Sequence, residues 1–219
     1  MFQGEIFIPK KKPFLNLTLS EKLSWGSLTF VLFYCLLMFA DKKWNSSEIK
    51  NYVSEQTLVN QIVGFFFVVV FIASILLRFK EYENLNGELN GKLIIDEEKI
   101  IAGDKEYELS NIQDFEIDII DYYGKRTYYS KSGPYFFQGV SNKICFKYSD
   151  EQVSFQFKIL SDNNVYDLNW TLLNIICKEK IPFQKEYLKI FSNEYRDTPT
   201  FKVFVEKLLK ERRISPSEV

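Results

Sequence analysis

Two kinds of hydrophobic pattern divide this chain of 219 residues. The first is unbroken. Leu23–Ala40 (LSWGSLTFVLFYCLLMFA) and Leu58–Leu77 (LVNQIVGFFFVVVFIASILL) carry no charge. At 1.5 Å per residue, helices of these lengths reach roughly 27 to 30 Å, the hydrocarbon thickness of a bilayer. A helix on the surface of a soluble protein keeps a polar stripe, and the run Phe65-Phe66-Phe67-Val68-Val69-Val70-Phe71-Ile72 has none. Charges stop both stretches, Asp41-Lys42-Lys43 after the first and Arg78, Lys80 and Glu81 after the second. Trp25 and Trp44 lie where interfacial aromatics gather. The pattern predicts a transmembrane helix over 23–40, a short connector over 41–57 and a second transmembrane helix over 58–77. Gly64 and Ser74 are the candidate helix-packing positions within the membrane. A cleaved signal peptide fits the first stretch poorly, because Met38-Phe39-Ala40 is not a small-x-small site.

The second kind of pattern is short and periodic. The polar segment 78–91, with two glycines, reads as a linker. After it, Lys92–Asp96, Lys99–Ala102, Lys105–Leu109 and Ile112–Tyr123 read as strands separated by turn residues. Phe115, Ile117 and Ile119 alternate with Asp114, Glu116 and Asp118. Ile144, Phe146 and Tyr148 alternate with lysines and a cysteine, and Val153, Phe155, Phe157 and Ile159 alternate with polar residues. Each strand has one apolar face, the signature of an antiparallel meander packed on one side. Ser161 or Asp162 then caps a helix to about Lys178. Thr198 and Pro199 open a last helix, with Phe201, Phe204, Val205, Leu208 and Leu209 on one stripe. The expected class is an α+β membrane protein, a two-helix transmembrane hairpin followed by an antiparallel β-roll with C-terminal helices. Its expected parts are an N-terminal cytoplasmic or interfacial segment (1–22), the hairpin, the linker, a domain over 92–180 and a C-terminal helical extension over 181–219. Phe2, Ile6, Phe7 and Ile8 ahead of Lys10-Lys11-Lys12 fit an interfacial anchor, an extra strand or a contact to the soluble domain equally.

The run Gly91–Phe115 (GKLIIDEEKIIAGDKEYELSNIQDF) resembles the opening of bacterial pleckstrin-homology (PH)-like domains, with a G-x-L strand and a Y-x-L-x-x-I strand leading into a long fourth one. Gly139-Val140-Ser141-Asn142-Lys143-Ile144 resembles the turn before the fifth strand of membrane-anchored members. Such proteins often carry two transmembrane helices ahead of the domain. The resemblance covers roughly residues 20–180 and implies a PH-like roll and a membrane tether. It implies no reaction.

Composition narrows the chemistry. The chain has no histidine, so no Ser-His-Asp or Cys-His nucleophile system and no imidazole metal site can be built. Cys35, Cys145 and Cys177 form no C-x-x-C pair and suit a reducing compartment. No Walker loop, G-x-G-x-x-G or G-x-S-x-G occurs, and no cofactor is expected. The acidic row Asp114, Glu116, Asp118 spreads along a strand too widely to converge on a metal, and reads as a solvated face paired with Lys143 or Lys147. The net charge is −1. The N-terminal tail is positive, the connector neutral and the rest mildly acidic, a bias that favours both termini in the cytoplasm.

One segment interleaves cations and aromatics. Within 122–143, Tyr123, Lys125, Arg126, Tyr128, Tyr129, Lys131, Tyr135 and Phe136 are the candidate contacts to a protein partner or to the membrane. Nucleic acid is not expected, since the soluble part as a whole is mildly acidic. The expected protein is a non-enzymatic, multi-pass bacterial inner-membrane scaffold with a PH-like domain. It binds a protein partner, a second copy or a membrane component. The alternative is a membrane-perturbing effector or small channel-like subunit, against which stands the absence of charge in either span.

Overall fold

The structure is a computed structural model that describes residues 1–44, 57–127 and 133–216, with backbone only at 37–44 and 57–60. Its elements are β1 (Phe2–Pro9), α1 (Leu19–Trp44), α2 (Thr57–Arg78), β2 (Gly87–Ile95), β3 (Lys99–Ala102), β4 (Lys105–Glu108), β5 (Ile112–Asp118), β6 (Tyr123–Arg126), β7 (Phe136–Gln138), β8 (Asn142–Tyr148), β9 (Glu151–Lys158), α3 (Asp162–Cys177), α4 (Asn193–Arg196) and α5 (Pro199–Lys210). The chain divides into two compact units.

The first unit holds residues 1–11, 85–125 and 138–219. A seven-stranded sheet runs in the order β4-β3-β2-β1-β9-β8-β5, with every recorded pair antiparallel. Alternation decides the faces. Leu93, Ile95, Ile100, Ile144, Phe146 and Phe157 turn inward and are fully buried. Leu168, Leu172, Ile175 and Ile176 of α3 join them in one cluster. The Ser161 hydroxyl accepts from the Asn164 amide at the start of α3, and the Thr198 hydroxyl accepts from the Phe201 amide at the start of α5, as their sequence positions predict.

Four expectations change. Of the readings open for the N-terminal segment, the strand holds for residues 2–9. Residues 2–9 form β1, the middle strand of the sheet, because Phe2 and Phe7 need a core that Lys10-Lys11-Lys12 cannot enter. The linker is shorter than 78–91, since pairing to β1 draws residues from Gly87 onward into β2. Residues 181–214 do not stand apart from the domain. Ile181, Tyr187, Leu188, Phe191, Phe201, Phe204, Leu208 and Ile214 lie in the same core as the sheet. β5 also stops at Asp118, short of Tyr123, where the chain turns toward Asn142. Asp114 takes φ 48° beside a register shift and its carboxylate meets the Lys147 ammonium at 2.5 Å, the cross-strand partner expected of it.

The second unit holds residues 12–84 and 126–137, and α1 packs along α2 within it. Phe30 stacks on Phe67 with ring centroids 3.8 Å apart. Ser74 is buried and its hydroxyl donates to the Phe71 carbonyl, while Gly64 borders an apolar groove with Phe30, Tyr34 and Val68. Gln61–Arg78 is the one stretch among the described residues that is long and apolar enough to cross a membrane. The first expected span, 23–40, lies partly outside the described side chains, and most of the connector, 45–56, lies outside the described residues.

Candidate binding cleft and the aromatic loop

The cleft begins with a bulge. Between Glu5↔Lys92 and Phe7↔Leu89, the single residue Ile6 opposes Asn90 and Gly91. Gly91 has φ 89°, which glycine adopts freely, and a Cβ there would stand 3.3 Å from the Gly103 Cα. A bulge bends its ribbon and increases the local twist. Beyond Phe7, β1 follows β2 and leaves β9, with which it pairs only at Glu5↔Lys158, Ile6↔Phe157 and Phe7↔Gln156. Glu151–Phe155 of β9 therefore pair with β8 on one side and, among the described residues, with no strand on the other.

A cleft of about 970 Å³ opens at that split. Its floor is apolar, formed by Ile6, Tyr107, Val153 and Phe155. The Tyr107 ring stands edge-on to Phe146 and Tyr148, each centroid 5.2 Å away, and is held in place by them. Burial, then the neighbouring Glu151 carboxylate, push the Tyr107 phenol above its ordinary value, so it stays a neutral donor. The rim carries Asp104, Lys105, Lys143 and Glu151, none of them in an ion pair among the described residues. The set offers hydrophobic contact, backbone pairing and flanking charge. No cluster of metal-ligating side chains occurs among the described residues. Burial pushes the Cys177 thiol up to about 11, which makes it a poor nucleophile.

The aromatic loop is divided between the two units. Tyr123 and Lys125 belong to the first, and the Lys158 ammonium lies 4.7 Å from the Tyr123 ring centroid. The Lys125 ammonium donates to the Ile120 carbonyl at 2.5 Å. Arg126, Tyr135 and Phe136 belong to the second. The Arg126 guanidinium stands 5.7 Å from the Tyr135 ring. Tyr135 packs edge-on to Phe79 and Phe136 packs on Tyr82, so two of the expected contact rings cover the chain leaving α2. Tyr128, Tyr129 and Lys131 lie outside the described residues.

Glu81 is the hub of this packing. Its carbonyl accepts from the amides of Tyr135 and Phe136, both at 3.1 Å. Its carboxylate accepts from the Ser20 amide at 3.1 Å and from the Ser20 hydroxyl at the first turn of α1. Burial alone would raise the Glu81 carboxyl, but the hydrogen bonds from Ser20 and Thr18 outweigh it and hold the group below its ordinary value. Glu21 accepts from the Thr18 amide at 2.8 Å, half of a capping box on the same helix start.

The turn 139–142, singled out in the sequence, is a buried polar knot. The fully buried Asn142 carboxamide accepts from the amides of Ile120 and Asp121 and donates to the carbonyls of Asp121 and Gly139. Gly139 has φ 76°, and a Cβ there would lie 2.4 Å from the Tyr123 nitrogen. The cleft itself escaped sequence reasoning, because one of its walls is β1. The Asn90-Gly91 pair is the signal that marks it, a bulge dipeptide inside a strand. No protein-family model, curated protein or solved structure matches this chain.

Proposed function

We propose that this protein is a non-catalytic, membrane-anchored scaffold of the bacterial inner membrane, in which α1 and α2 form a two-helix hairpin and a PH-like roll binds a protein partner or membrane component on the cytoplasmic side. The carrying observation is the unburied apolar surface of α2, on which Phe65 is 70% and Phe66 59% exposed. Water does not tolerate a contiguous surface of that kind along a whole helix, and lipid does. Leu32, Phe33 and Leu36 of α1 are exposed in the same way. The sidedness has its own support. β1 precedes α1 and β2 follows α2, yet they are neighbours in one sheet. A chain that crosses at α1 must cross back at α2.

Seven antiparallel strands closed by a helix from the C-terminal part support the PH-like reading. The 122–143 region remains the proposed contact to partner or membrane, with Tyr123 the ring of the described set that is exposed. The test is alkaline extraction of membranes combined with protease treatment of intact spheroplasts. The protein should stay in the pellet and a C-terminal tag should resist the protease. Release into the supernatant overturns the anchor, and cleavage of the tag overturns the orientation.

A further inference from the structure

We infer that the cleft beside β9 receives an extended polypeptide segment, which adds a strand to the open edge at Glu151–Phe155. The inference deepens the scaffold reading and rests on it for the existence of a partner.

The edge supplies the affinity. Alternate residues of Glu151–Phe155 direct their amide and carbonyl groups away from β8, and β1 has left that lane. Exposed strand edges of this kind pair readily with another chain. The protein blunts its outer edges. β4 carries Lys105, Glu106 and Glu108, and β5 is kinked at Asp114. The β9 edge has no kink and a single charge, Glu151 at its start. It lies instead over an apolar floor, with Val153 and Phe155 on the inward face.

The direction follows from the lane. A strand that continues where β1 departs runs antiparallel to β9, like every other recorded pair in the sheet. Five residues of strand span roughly 17 Å. Its leading end lies toward Lys143, whose register partner is Gln156, and its trailing end lies beside Glu151. The fitting segment is therefore acidic at its N-terminal end, alternately apolar in the middle, and basic at its C-terminal end.

The test uses the full chain in detergent micelles and the capped hexapeptide Glu-Val-Thr-Val-Thr-Lys as probe, read by amide hydrogen exchange. Alternate amides within Gln152–Phe155 should slow at least tenfold, with no change in Leu172–Ile176 of α3. The same peptide N-methylated on alternate residues keeps its side chains and should give no protection. Ile8→Lys, at an exposed position on the cleft wall, should weaken the protection at least tenfold. Absence of protection, or equal protection by the methylated peptide, overturns the inference. So does equal protection by phosphatidylglycerol vesicles without peptide, which would make the cleft a lipid site. A protein that resists alkaline extraction yet ignores the peptide loses only the cleft assignment. One that is extracted yet binds the peptide loses only the anchor.

Discussion

Phe146 and Phe66 are the same residue type in two different surroundings. Phe146 is fully buried between sheet and helices, and Phe66 is 59% exposed on α2. In the first unit, apolar side chains sit at every second position of a strand or on one stripe of a helix. In α2 they occupy the whole circumference. The contrast shows that hydrophobic content alone does not place a residue inside. Periodicity tells whether the chain supplies its own cover or relies on surroundings that provide one.

Phe146→Ala separates the two regions most sharply. It should cost about 3 to 5 kcal/mol by lost burial and cavity formation. Phe66→Ala should leave the same transition, followed by denaturant in micelles, within about 0.5 kcal/mol. Equal losses would mean that α2 hides its rings in the protein after all. Val69→Arg comes next. A charge at the centre of a span costs about 2.5 to 3.5 kcal/mol of insertion, and the membrane-pelleted fraction should fall accordingly. The chain's amphipathic first unit would show no such penalty for an exposed charge. Gly139→Ala should destabilise by about 1 to 3 kcal/mol, since φ 76° and a 2.4 Å contact both oppose a Cβ. Gly64→Ala has open space within 4 Å and should be neutral in the same measurement.

Glu81→Gln gives the smallest effect, about 1 kcal/mol, comparable to loss of a helix cap. Its pH dependence has a fixed sign. The carboxyl lies below its ordinary 4.5 in the folded chain, so its contribution is complete above that value and fades as pH falls through the lower one. The variant should abolish that acid-side slope in thermal melts of the second unit. A slope that survives would place the titrating group elsewhere.

Local periodicity carried most of the first unit. β3 and the boundaries of α3 and α5 follow from alternation and caps at Ser161 and Thr198. What stayed hidden depended on distant partners. Phe2, Ile6 and Ile8 read equally as an anchor or a strand until Ile95 and Phe157 supply their neighbours. The long strand expected to reach Tyr123 is cut short by Asn142, a residue remote in sequence that takes the amides of Ile120 and Asp121. The candidate loop was legible as composition, but its rings at Tyr135 and Phe136 turn out to be engaged by Phe79 and Tyr82. The cleft is a gap left by two strands, so the Asn90-Gly91 bulge dipeptide marks where it starts but no single segment encodes its walls.

The central place of β1 also has a consequence for how the protein is made. Phe2 precedes Ile95 by two helices and a linker, and cannot meet it until all of these have been synthesised. Contacts so far apart in sequence close late and slowly. On the proposed topology, a first helix threaded the wrong way would strand β1 across the bilayer, and β2 and β9 would be left with bare edges in the core of the sheet. On that topology, completion of the sheet would report on insertion of the helices. Under the proposal, only a correctly placed hairpin would return the strand that completes the sheet, and a misinserted copy would expose edges open to chaperones and proteases.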